Sequence, residues 1–363
     1  MRKLLFLSVA SLLMFACSKE DSVPLDNNDG KITFEISASD QMSDGLSRTP
    51  VYSQDATQNI SNVNVYAFKN DGNGNYTYQK TYTIPWPAGS ALQRYPVADA
   101  DKVPAGDYKF LAVGTDSPNP FTINSLTVNT TKFEDMMASV TAAGNESELF
   151  AGNSRVQVMD HGSRISIDMK RKVAGILGYF KNVPQTIQGT AVQYLRLIIS
   201  NSDLNVNLTS SIGSNPIGAE YRIMDINVGN QPASTTVTGV YAGNDLTSAG
   251  VVKLDNSQLG GTFLMPISGV TMTLGLYDAG NNALKVWNIE DSNGGSTNLT
   301  ITANNFYSLG LKTKINSTTG GGTPDPNDDD SAVDLLLDQS IVLTVTPTWD
   351  AFHNLIILNQ PIP

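Results

Sequence analysis

Very little in this chain is equipped for covalent or metal chemistry. Its 363 residues include one cysteine, Cys17, and two histidines, His161 and His353. A zinc or nucleophilic site needs clustered His, Cys or carboxylate groups, and neither histidine has a neighbour at metal-ligand spacing. A lone cysteine excludes an intramolecular disulfide, so stability has to come from core burial. Basic residues are scarce as well: 23 Lys and Arg stand against 34 Asp and Glu, a formal net charge of −11. That balance argues against a nucleic-acid backbone or an anionic lipid surface as partner. The small basic cluster "MKRKV" (169–173) has no interleaved aromatics and does not extend into a patch. Phosphate-cradling glycine motifs of the Walker or dinucleotide kind are missing. The acidic run "DPNDDD" (325–330) lacks the spaced ligands and turn glycine of a calcium loop and reads as a solvated linker. Carboxylate pairs such as Asp99 and Asp101 are too ordinary to mark a glycosidase. The expectation is a non-enzyme with no catalytic residues, no metal and no cofactor.

Long hydrophobic runs are missing too. The longest, Leu4 to Ala16, is broken by two serines and preceded by Arg2 and Lys3. It is too short for a bilayer core of about 30 Å, which takes roughly 20 residues, and fits a signal-peptide h-region. The run ends in Phe15-Ala16-Cys17, which resembles a bacterial lipobox with Phe15 in place of the usual small residue. The resemblance implies cleavage before Cys17, diacylation of its sulfur and an amide-linked acyl chain such as palmitate. A thiolate is a good nucleophile for that alkylation, and two or more chains anchor stably where one does not. Losing Arg2 and Lys3 with residues 1–16 makes the chain two units more negative. Residues 17–30, which include "SKEDSVPLDNNDG", are polar and acidic and read as a flexible lipidated tether.

What remains alternates. "KITFEIS" puts Ile32, Phe34 and Ile36 on one face and Lys31, Thr33, Glu35 and Ser37 on the other, a half-buried strand. A polar loop with Arg48 follows. "NVNVYAF" (62–68), a turn of Asn, Asp and Gly, and "YTYQKTYTI" (76–84) read as a hairpin. Further strands are expected at 104–114, 164–184, 192–200, 261–267, 270–278, 282–289, 297–303 and 340–349. "TKFEDMMASVTAA" (131–143) has helical spacing. Tyr76, Tyr78 and Tyr82 lie at even spacings and share a strand face, near Trp86; core packing is favoured over a sugar-binding platform. The pattern gives an all-β chain of two tandem β-sandwiches with short helical insertions, residues 31–166 and 167–363. A flexible acidic stretch, 316–330, precedes two last strand-like runs, "SIVLTVTPTW" and "NLIILNQ".

In order along the chain, the lipobox and "SKED", the loop "GLSRTPVY", "NVNVYAFKNDGNGNY", the central "KRKVAGILGYFKNV", "NNFYSLGLKTKI" and "IVLTVTPTWDAF" resemble one family, the fimbrillins. These are lipoprotein subunits of type V fimbriae in Bacteroidales. The resemblance implies transthyretin-like sandwiches, export as an outer-membrane lipoprotein to the cell surface, and assembly into a fimbrium that contributes to adhesion. It implies an arginine-specific protease that cuts Arg48-Thr49, with Pro50 just beyond the bond. It makes Ile32, Phe34 and Ile36 the core-facing side chains of a removable masking strand. Other fimbrial subunits are then the partners, joined by β-strand addition. The donor segment falls within 340–360. Its candidates are Ile341, Leu343 and Val345 in the first run and Leu355, Ile356, Ile357 and Leu358 in the second. The first run is expected to complete the second sandwich and the second to donate. A stalk position comes first, with a tip or anchor position as the alternative. A non-polymerising surface lipoprotein that binds a host glycan or protein is the competing function.

Overall fold

A computed structural model describes residues 30–38, 60–87, 90–229, 238–239, 258–292, 295–310, 331–337 and 340–346. The first half contributes β1 (Ile32–Ala38), β2 (Asn62–Asn70), β3 (Tyr76–Pro85), β4 (Leu92–Pro96) and β5 (Gly106–Thr115). It continues with β6 (Thr122–Ile123), β7 (Met137–Ser139), β8 (Leu149–Val158) and β9 (Ser163–Arg171). Seven of these form one sheet in the order β3-β2-β5-β8-β9-β1-β4. The sheet curls, because β8 and β9 pair over two residues only, at Phe150–Arg171 and Ala151–Lys170. Its two arms then close over a shared core. Phe34 of β1 meets Tyr82 of β3 and Phe110 of β5 edge-on, with ring centroids 5.1 and 5.5 Å apart. Neither strand is its neighbour in the sheet, so the contact spans the sandwich.

The second half runs through β10 (Ala174–Lys181), β11 (Thr186–Ile187), β12 (Thr190–Ala191), β13 (Tyr194–Ile199), β14 (Asp203–Asn207) and β15 (Gly213–Pro216). Then come β16 (Tyr221–Asn227), β17 (Thr238–Gly239), β18 (Gln258–Leu264), β19 (Ile267–Val270) and β20 (Met272–Tyr277). The last are β21 (Ala283–Asp291), β22 (Leu299–Ile301), β23 (Phe306–Leu309), β24 (Val333–Asp334) and β25 (Ile341–Thr346). The main sheet orders them β16-β13-β20-β21-β25-β23-β10-β18-β17, with β24 on β10. The continuous apolar run of β10 reflects burial on both faces. Ala174, Ile176 and Phe180 enter the core of this second sandwich, and Leu177 and Tyr179 turn the other way.

That other direction leads to a third core. Tyr66, Phe68, Leu111 and Val113 of the first sheet share it with Leu177, Tyr179, Phe263 and Phe306 of the second. A small sheet, β15-β14-β7-β6, helps to cover it and draws strands from both halves. The expected boundary at 166/167 falls inside β9, and the chain leaves the first sheet at Lys172.

Two local expectations need correction. Residues 131–143 form no α-helix: Phe133–Asp135 make one 3-10 turn and Met137–Ser139 is strand β7. Met136, Ala138 and Val140 are buried at a spacing of two, and pairing with β6 and β14 decides between the two periods. Nor do the three tyrosines share a face. The β2–β3 register shifts between Ala67 and Phe68, with Gln79 as the extra residue, a β-bulge. Tyr76 and Tyr78 therefore pack into the core between the sheets, while Tyr82, Ile84 and Trp86 pack into the first sandwich. Tyr76, Tyr82 and Trp86 are all buried, so they offer no platform.

Candidate functional site

The site to consider is the seat of β1. Seven residues long, β1 runs parallel to β9, with Ile32 opposite Ser163 and Ala38 opposite Met169. On its other side it runs antiparallel to β4, with Phe34 opposite Tyr95. The ladder is prolonged at both ends by Val97 N donating to Ile32 O at 2.8 Å and Ala38 N to Ala91 O at 3.0 Å. Ile32, Phe34, Ile36 and Ala38 are buried among Ile165, Ile167, Met169, Tyr82 and Phe110. Each of the three large side chains is worth about 1.5–3 kcal/mol of burial. Gly162, in the β8–β9 turn, has φ +97°, and a Cβ there would collide with the backbone of Lys31. The turn thus presses directly on the entry to β1.

The outward face of β1 carries the polar contacts. Glu35, nearly buried, bonds Arg94 Nε of β4 at 2.7 Å and Arg164 Nε of β9 at 2.5 Å. The Arg164 hydrogen bond first, and the charges of both guanidinium groups after it, hold the Glu35 carboxyl below its ordinary range against the opposing effect of burial. Ser37 Oγ donates to Asp168 Oδ1 at 3.0 Å. β1 is therefore tied to both neighbours twice over, by main chain and by side chain. The backbone of β4 pairs with no other strand among the described residues.

Of the residues singled out in the sequence, Ile32, Phe34 and Ile36 lie together on β1. Ile341 and Leu343 are buried in β25, with Val345 partly buried, between β21 and β23 of the second sheet. Cys17, Arg48, Thr49, Leu355, Ile356, Ile357, Leu358 and His353 lie outside the described residues. His161 is exposed in the β8–β9 turn. Of the basic cluster, Arg171 is buried against Glu148 at 3.2 Å, and Lys172 bonds Ser211 Oγ at 2.8 Å. Sequence reasoning missed Glu35, Arg94 and Arg164 as a unit. Each sat on a polar strand face, and nothing in the chain order announced that β4 and β9 flank β1. Among the described residues no group of three or more His, Cys, Asp or Glu side chains could hold a metal, and no helix is long and apolar enough to cross a membrane.

Two curled sheets over shared cores, with a strand clasped between two others, define an all-β protein. The chain belongs to the Mfa2 family, the fimbrillin-A associated anchor proteins Mfa1 and Mfa2, whose model matches residues 28–350. The family agrees with the fimbrillin resemblance read from the sequence. It is described by its anchor proteins, where the sequence put a stalk position first. No curated protein matches the sequence. Among solved structures, the fimbrial anchor protein Mfa2 from Porphyromonas gingivalis is 13% identical, with a TM-score of 0.43, over 87% of this chain and 97% of that one. A candidate adhesin from Bacteroides ovatus is 15% identical, with a TM-score of 0.45, over 77% and 89%. A candidate cell adhesion protein from Bacteroides eggerthii is 14% identical, with a TM-score of 0.43, over 87% and 95%.

Proposed function

We propose that this chain is a structural subunit of a cell-surface fimbria, exported as an outer-membrane lipoprotein on Cys17 and joined to another subunit through exchange of β1. Membership of the anchor-protein family supports the fimbrial role and association with other fimbrial subunits. The observation that carries strand exchange is the seat of β1. A cut at Arg48-Thr49 severs β1 from everything after the loop, so the strand is then held by non-covalent contacts alone. Its departure would leave the facing backbone groups of β4 and β9 unpaired and open the first core at Ile165, Ile167, Met169 and Phe110. Such a slot is an aggregation hazard until another strand fills it. An incoming strand with alternating apolar side chains restores both the ladder and the core. Because β25 already bridges β21 and β23, the donor role falls to Leu355, Ile356, Ile357 and Leu358. The roles of the protein are binding and mechanical, and catalysis is not among them.

Treating the purified chain with an arginine-specific protease tests this. The expected result is cleavage after Arg48, followed by denaturant-resistant multimers that retain no residues 17–48. Cleavage that yields only monomers would overturn strand exchange. A second reading, a membrane-held anchor that keeps β1, is favoured by the double clasp of Glu35 and by the family's description. Its signature is resistance at Arg48 with the lipid retained.

A further inference from the structure

Between the β14–β15 hairpin and the paired strands β19 and β22 lies an open pocket of about 570 Å³. One part of its lining is aliphatic, from Ile212, Pro216, Pro266, Ile267 and Ile301. Asp203 also lines it and is 6% exposed. Ser202 Oγ bonds the main-chain oxygen of Asp203 at 3.4 Å. Among the described residues no donor or cation reaches its carboxylate. Ser211, another lining residue, accepts from Lys172 Nζ at 2.8 Å, and that ammonium is not itself part of the lining. A Cβ on Gly213 would collide with both Asp203 Oδ2 and the Pro266 carbonyl oxygen, so only glycine lets the hairpin pack this closely beside the Asp203 carboxylate.

The Asp203 carboxylate faces this open pocket, and partial burial raises its carboxyl above the ordinary range. The ligand that offsets this most fully brings a positive charge and hydrogen-bond donors together. A metal ion fits poorly, since one carboxylate and one carbonyl fall well short of the roughly six to eight oxygens that calcium takes. A sugar finds no aromatic ring in the lining to stack on. An alkyl chain ending in a cation fits the lining: the aliphatic walls take the stem and the Asp203 carboxylate takes the head. The acidic chain, at −11, draws basic partners.

We propose that this pocket receives a lysine or arginine side chain of a protein partner, with its charged head on Asp203 and its stem along Ile212, Pro216 and Ile267. None of these residues lies in β1, β4 or β9, so the assignment stands whether or not strands are exchanged. The test uses the full chain with isotope-labelled isoleucine methyl groups, titrated with Nα-acetyl-lysine amide and Nα-acetyl-arginine amide. Saturable shifts of the Ile212, Ile267 and Ile301 methyls are expected for at least one of them. The uncharged Nα-acetyl-norleucine and Nα-acetyl-citrulline amides should bind about tenfold more weakly. Asp203→Asn should weaken the charged probes by a similar factor. Because Ser214 is exposed at the rim, Ser214→Lys keeps the fold and supplies a competing cation, and should abolish binding. No saturable shift at these methyls, equal binding of the neutral amides, or indifference to both variants would overturn the proposal. So would calcium producing the same shifts alone.

Discussion

With Glu35 bonded to Arg94 on one flank and Arg164 on the other, the outer face of β1 gains a charge-assisted clasp beside its backbone ladder. Both arginines are more than half exposed, so solvent and salt weaken the clasp to about 1 kcal/mol. Its pH dependence has a definite sign. The folded-state carboxyl lies below its unfolded value, so the stabilisation is complete above the ordinary carboxylate range and is lost as the pH falls through the folded value. Glu35→Gln should therefore lower the melting temperature near neutral pH and narrow the gap to wild type at about pH 3. Thermal melts of both proteins across that range check this, and a gap that stays constant would remove the clasp from the account. Glu146 works in the opposite direction. It is buried, accepts from Gly144 N at 2.6 Å, and burial pushes its carboxyl up to about 7. The folded protein then holds a proton that the unfolded chain has released, so this contribution is complete below the ordinary carboxylate range and is lost as the pH rises through about 7. Relative to wild type, Glu146→Gln should gain about 1–3 kcal/mol between about pH 5 and pH 8. Denaturant titrations at the two pH values measure it.

Strands announced by strict alternation were legible in the sequence. β1 and β9 both alternate buried and outward residues without a break, and the β2–β3 hairpin forms around its Asn, Asp and Gly turn. Strands whose burial follows their partners were not. β8, ten residues long and central to the first sheet, reads "LFAGNSRVQV" with small and polar residues mixed, and its order comes from pairing with β5. The seat of β1 was half legible: its apolar face showed in the residues, but the arginines that hold its polar face come from strands some 60 and 130 positions away. The bulge at Gln79 illustrates the same limit, because one unpaired residue reverses the face of everything beyond it. Deleting Gln79 leaves Tyr78 three positions from Tyr82, so each tyrosine keeps its face in a regular ladder, and the deletion should cost under about 2 kcal/mol. Inserting an alanine beside Gln79 should instead force Tyr76 and Tyr78 onto the face of Tyr82, or make the strand slip, and cost more than about 3 kcal/mol. Equilibrium unfolding of the two variants separates them. Similar stabilities would mean that the number of residues across the bulge does not set the register.

At the scale of the whole molecule, the core between the two sheets decides how the protein holds together under load. Tyr66, Phe68, Leu111 and Val113 are buried on one side of it, Leu177, Tyr179, Phe263 and Phe306 on the other, and Phe133 and Met136 fill the space between. Phe133 meets Phe68 edge-on at 5.5 Å. Where the chain crosses, Arg171 is buried beside Glu148 and over the Phe150 ring, a pair that is costly to break from one side. Domains joined by a mobile linker would show a smaller and more polar interface. Here each sheet would expose a row of large apolar side chains if its partner were removed. The two halves should therefore unfold as one unit, and calorimetry of the full chain should show a single transition whose calorimetric and van't Hoff enthalpies agree. Phe133→Ala should cost about 3–5 kcal/mol and lower that one transition as a whole. Two well-separated transitions in the wild type, with Phe133→Ala moving only one, would show that the shared core does not couple the halves. In a fimbrial subunit the coupling has a mechanical consequence: a pull entering at the first sheet and leaving through the second is carried by packed side chains across the middle of the molecule.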